Sequence, residues 1–107
     1  MGRLLSLLMI GMALSVLSVP PSISQEAPPL SPPKRFDHAF TGKLVEHPGD
    51  IQEVQMWCAT MYGAPFPYLV EGCALPMGKR CEIAFTRKAV RRHEIAHCNG
   101  WAQDHPR

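Results

Sequence analysis

The sequence predicts a small α+β domain in the order strand, helix, strand, strand, helix. Three observations carry that prediction. An N-capped amphipathic run begins at Asp50, two short apolar runs flank Pro76-Met77-Gly78, and a second helical run ends at Asn99-Gly100. The chain has 107 residues, 46% of them hydrophobic and 19% charged, which suits one small domain. Its formal net charge is +2, and no single-sign run is longer than a pair such as Arg91-Arg92. Such a balance argues against a nucleic-acid partner and against a polybasic membrane tether.

The first residues stand outside the fold argument. Arg3 supplies a positive charge, Leu4 to Val19 is an apolar stretch, and Ser22 and Ser24 precede Gln25 as small residues at a cleavage site. Residues 1–24 therefore read as a secretory signal peptide. An uncleaved anchor is the alternative, but a sixteen-residue stretch interrupted by serines is short for a spanning helix of about 20. No stable membrane insertion is expected after cleavage. Six of the eleven prolines fall between Pro20 and Pro33. Residues 25–35 (QEAPPLSPPKR) accordingly read as a Pro-rich flexible leader, and residues 36–107 as the folded domain.

Within that domain, Lys43-Leu44-Val45-Glu46 is a short candidate strand ended by His47-Pro48-Gly49. Asp50 and Glu53 form a capping-box pattern. Ile51, Val54, Trp57/Cys58 and Met61 then recur at helical spacing, and Gly63 with Pro65 and Pro67 ends the helix. A second strand is expected from Tyr68 to Leu75 and a third from Lys79 to Phe85, with Thr86 capping a helix over 87–98. Trp57 and Met61 are expected in the core, and Arg91-Arg92 as a solvated stripe.

The last helix carries His93-Glu94-Ile95-Ala96-His97, the HExxH pattern. Histidines four apart share one helix face, so both imidazoles can reach one ion, and Glu94 lies beside them as a candidate general base. Three protein ligands with a fourth position open to water is the arrangement of catalytic zinc sites. A surface helix with two solvated histidines is the plainer reading. The residues beyond His97 argue against it: Gly100 allows a sharp turn three residues past His97, and Gln103, Asp104 and His105 come next.

His93 to Trp101, with Asp104-His105-Pro106 after it, resembles the zincin metallopeptidases, in particular small exported bacterial ones with an HExxHxxGW…DH ending. The match covers about thirteen residues at the C-terminal end, and the expected element order agrees with a minimal zincin-like core. The resemblance implies Zn²⁺, a peptide or protein substrate (cell-wall peptide among the candidates), and a bacterial periplasmic or secreted location. It also implies that the strand from Cys81 to Phe85 is a sheet edge that binds extended substrate above the metal. Two departures separate the chain from metzincins: Gln103 stands where their third histidine would be, and no methionine comes after the motif. His105 is the preferred third ligand beside His93 and His97. Asp104 is the alternative, as a ligand or as an orienting group for a ligand imidazole.

Four cysteines in an exported chain read first as two disulfides, and their spacing contains no zinc knuckle. If Leu75 and Lys79 close a three-residue hairpin loop, Cys73 falls opposite Cys81, which pairs Cys73–Cys81 and Cys58–Cys98. The pairing Cys58–Cys73 with Cys81–Cys98 stays open. Trp101 is expected behind the metal site, and His38 and His47 as solvated or structural histidines. Two functions remain, beside the plainer reading of a disulfide-stapled secreted domain with no metal. The first is a zinc-dependent metallopeptidase with Glu94 as general base. The second is a non-catalytic, disulfide-stapled exported module that binds zinc or a protein partner.

Overall fold

The structure, a computed structural model, describes residues 30–107. The signal-peptide reading of 1–24 and the start of the leader lie outside the described residues. The expected order is observed: strand β1 (Lys43–Pro48), helix α1 (Ile51–Tyr62), strands β2 (Gly72–Met77) and β3 (Arg80–Phe85), and helix α2 (Lys88–Cys98). A short 3-10 turn at Lys34–Phe36 precedes them. No helix among the described residues is long and apolar enough to cross a membrane.

Local sequence accounts for the ends of α1. The Asp50 side chain accepts from the Glu53 amide at 2.8 Å, and Glu53 accepts from the Asp50 amide at 3.0 Å. Two otherwise unpaired helix amides are satisfied in this way. Gly63 closes the helix at φ 77°, a left-handed cap that costs glycine little. The start of α2 differs from expectation. Arg87, not Thr86, occupies the N-cap position, and no side chain caps it; the Thr86 hydroxyl instead lies 3.5 Å from Glu71.

The sheet has the order β1-β3-β2, with β3 parallel to β1 and antiparallel to β2. The expectation that Cys81–Phe85 forms an edge is therefore wrong: β3 is the central strand. Chain direction explains it. From β1 the chain crosses through α1 to the far edge, makes β2 there, and turns back into the middle. Strand β2 is also shorter than expected. Tyr68 and Leu69 are exposed, and the Gln55 side chain serves this stretch instead, donating to the Tyr68 carbonyl and accepting from the Val70 amide, both at 3.0 Å. A side-chain amide thus takes the backbone groups that a neighbouring strand would use.

The β2–β3 register overturns the preferred disulfide pairing. Met77 pairs with Arg80, so the loop is the two residues Gly78-Lys79, led by Gly78 at φ 70°. Cys73 then faces Ala84, and Cys81 faces Pro76. Cys73 and Cys81 point to opposite faces of the sheet, because an odd shift of register turns every side chain over. Each cysteine bonds to the helix on its own side, giving Cys58–Cys73 and Cys81–Cys98.

These faces define two small cores. Val54, Cys58, Cys73 and Ala84 pack under α1, with Met61, Phe66 and Val70 against them. Ala74, Cys81, Ile83 and Ile95 pack under α2, with Phe40, Leu44 and Phe85 alongside. Met61 takes its expected place, whereas Trp57 remains 39% exposed. Cores this small leave a domain marginal, and each disulfide, closing a span of 15 or 17 residues, contributes about 3 kcal/mol. Two disulfides and no free cysteine fit an oxidising environment outside the cytoplasm.

Candidate metal centre

Helix α2 turns its buried face to the sheet with Val90, His93, Glu94, Ile95, Ala96 and His97. One turn separates His93 from His97, and their Nε2 atoms lie 3.2 Å apart. The third imidazole comes from the tail. Asn99 closes α2, Gly100 turns the chain at φ 108°, and the Trp101 amide returns to the Ala96 carbonyl at 3.0 Å. Glycine alone adopts such a φ without strain. The tail then makes a tight turn, with the His105 amide donating to the Ala102 carbonyl at 2.9 Å. His105 has φ 60°, the one positive value at a non-glycine residue among those described. That turn carries the His105 Nε2 to 3.1 Å from His93 and 3.2 Å from His97.

Three imidazole nitrogens in a triangle of this size suit one ion. Tetrahedral coordination at metal–nitrogen distances of about 2.0–2.1 Å sets ligand nitrogens roughly 3.3–3.4 Å apart. The tautomers fit as well. His93 donates its Nδ1–H to the Leu30 carbonyl at 2.9 Å, and His97 donates its Nδ1–H to the Trp101 carbonyl at 2.7 Å. Both leave Nε2 as a lone pair aimed at the centre of the triangle. Burial pushes the His97 pKa down to about 4; the hydrogen bond to the Trp101 carbonyl opposes this, and the neighbouring His93 and His105 add to it. His105 is also lowered, by burial and then by His93. Three imidazole nitrogens brought to one point at this spacing are a donor set that a cation can complete. His93, His97 and His105 are the group among the described residues that could hold a metal ion.

Trp101 is 1% exposed, and its ring centroid lies 4.9–5.0 Å from all three imidazoles. It backs the centre as expected, and its Nε1–H donates to the Pro106 carbonyl at 2.8 Å, fixing the tail that carries His105. Asp104 is exposed and stands outside the triangle.

Glu94, 6% exposed, lines the same cavity of about 290 Å³ as the three histidines, together with Tyr62, Phe66, Tyr68, Gly72 and Gln103. Burial pushes its carboxyl pKa up to about 8. No family, curated protein or solved structure matches the chain. The site's own geometry therefore carries the functional reading.

Three contributors were not singled out from sequence. Gly72 is one: a Cβ there would lie 2.5 Å from Val90 Cγ1 and 2.9 Å from Glu94 Oε2, so only glycine lets Glu94 lie against the strand. A lone glycine inside a strand is itself the signal for such an approach. Tyr62 is the second. Its hydroxyl donates to the Ala74 carbonyl on the edge strand β2, and burial, then the Glu94 charge, raises its pKa. Leu30, 63 residues from His93, left no local trace.

The remaining sequence candidates lie elsewhere. His38 is exposed, with Nδ1 against its neighbour's carbonyl. His47 stacks on Trp57 and contacts Glu82 at 2.6 Å, a structural role. Arg91 and Arg92 pair with Glu46 and Asp37 respectively, and no arginine among the described residues lines the metal-side cavity.

Proposed function

We propose that this chain is a zinc-dependent peptidase with a zincin-like site, exported to an oxidising compartment. The observation that carries the reading is the triangle of imidazole Nε2 atoms at 3.1–3.2 Å with Glu94 in the same cavity. His93, His97 and His105 would hold the ion. When bound, zinc supplies Lewis acidity toward a carbonyl and toward water. Glu94 takes the proton from the attacking water as the C–O bond forms, and returns it to the departing amine as the C–N bond breaks.

The open edge beside the centre is β2 rather than β3. Gly72 and Ala74 line the cavity, and an extended peptide pairing there would pass His93 and Glu94. Next to them lies a second cavity of about 400 Å³, lined by Leu30, Tyr68, Leu69, Val70 and Val90, with Glu71 at it and His93 and Glu94 shared with the first. Its aliphatic wall of Leu30, Leu69, Val70 and Val90 could take an apolar side chain next to the scissile bond.

One observation favours a non-catalytic module that binds zinc or a protein partner: the Tyr62 hydroxyl already occupies the Ala74 carbonyl that an added strand would use. Cleavage of a mixed peptide library by the zinc-loaded chain, beside Glu94→Gln, separates the two. Peptidase action predicts cleavage that falls by about 10²–10⁴ in the variant with zinc retained. Equal cleavage by both proteins would remove Glu94 from the chemistry, and no cleavage by either would leave the binding module.

A further inference from the structure

The proline-rich composition of residues 25–35 predicts a mobile leader, yet residues 30–38 are fastened to the domain along their length. Pro32 is buried. The Arg107 guanidinium donates to the Ser31 carbonyl at 2.8 Å. Asn99 donates to the Phe36 and His38 carbonyls at 2.9 and 2.6 Å, and Arg92 pairs with Asp37. All these fastenings come from α2 or from the tail that carries His105. The segment is a strap across the elements that supply the three imidazoles.

Among the described residues, the strap reaches the centre through Leu30. The Leu30 carbonyl accepts the Nδ1–H of His93. His97 obtains the same service from Trp101, only four residues away. One ligand is thus oriented from within the motif and the other from a segment 63 residues distant. A carbonyl on Nδ1 fixes the tautomer, sets the ring plane and strengthens Nε2 as a donor, and losing such a partner costs 10–100-fold in metal affinity. Leu30 also lines the cavity beyond His93 and Glu94, so the strap forms part of the wall there.

We propose that the strap is a positioning element of the metal centre, in which the Leu30 carbonyl holds His93 ready to bind, so that strap order and metal loading are coupled. The inference rests on the reading that the three histidines hold a metal. Coupling of this kind is reciprocal: what the strap does for the ion, the ion does for the strap.

The test uses the full chain with its disulfides formed and zinc as the probe. Pro32→Gly with Arg107→Ala loosens the strap without touching a ligand. The expected result is zinc affinity about 10-fold lower by chelator competition, largely restored when Lys replaces Ala at 107. Hydrogen exchange adds a readout that general destabilisation would not move. Zinc should slow exchange of the amides of Ser31 and of Lys34 to His38 in the parent, while the Asp50–Glu53 cap on the opposite side stays unchanged. Zinc binding by the parent with no loss in the loosened variant, and no protection of the strap, would overturn the coupling and leave the centre standing. Failure of the parent to bind zinc would overturn the centre and the coupling together.

Discussion

The two faces of the sheet each bring histidine chemistry to a helix, and they use it in opposite ways. On the α1 face, His47 is satisfied: Trp57 stacks on its ring at 3.7 Å between centroids, and Glu82 meets its Nε2 at 2.6 Å. On the α2 face, His93, His97 and His105 turn their Nε2 atoms toward one another, with backbone carbonyls on Nδ1 of the two helical ones. A histidine with a carboxylate and an aromatic partner needs nothing more. Three imidazole Nε2 atoms converging on one point form a donor set that a cation can complete. The contrast lies in where the second nitrogen goes, and residue type alone does not report it.

The largest effect that can break this contrast is loss of a ligand. His97→Ala should lower zinc affinity by at least about 100-fold, more than the loss of an outer partner costs, whereas His47→Ala should change it less than about twofold. Equilibrium dialysis of both variants checks this, and equal losses would erase the distinction between the faces. Next in size are the disulfides. Replacing Cys81 and Cys98 together by Ser should cost about 3 kcal/mol and weaken zinc binding, because Cys98 is the direct neighbour of His97. The same change at Cys58 and Cys73 should cost a similar amount and weaken zinc binding less, because Cys73 lines the cavity but adjoins no ligand in the chain. Thermal melts and zinc titrations on the two double variants decide the point.

Smaller still, Gly72→Ala places a methyl where Val90 and Glu94 already stand, and should cost about 1–3 kcal/mol. If Glu94 acts as the base, hydrolysis should fall further than stability explains, which kinetics at matched folded fraction would reveal. Asp104→Ala should be the smallest change. The residue is exposed and outside the triangle, so zinc content by mass spectrometry should match the parent.

What could be read from sequence was local. The Asp50–Glu53 box, the Gly63 cap, the shared face of His93 and His97, and the turn at Gly100 each depend on residues within a few positions of one another. The place of His105 came from the same turn. One error was local, the cap of α2 standing at Arg87 rather than Thr86; the others concern partners chosen by packing at a distance. An odd shift in one hairpin sent Cys73 and Cys81 to opposite faces, and the crossover through α1 put β3 in the middle of the sheet. Gln55 removed Tyr68 and Leu69 from the strand, and the strap found its place through Asn99 and Arg107. Apolar periodicity says that a side chain is buried, but not which of two small cores receives it.

The central claim is the three-histidine centre, and zinc per mole of chain tests it most directly, comparing the oxidised parent with His105→Ala. A centre built on these three imidazoles predicts one equivalent in the parent and a sharp loss in the variant at the same fold content. A folded parent without zinc, or a variant that keeps its full equivalent, would contradict it.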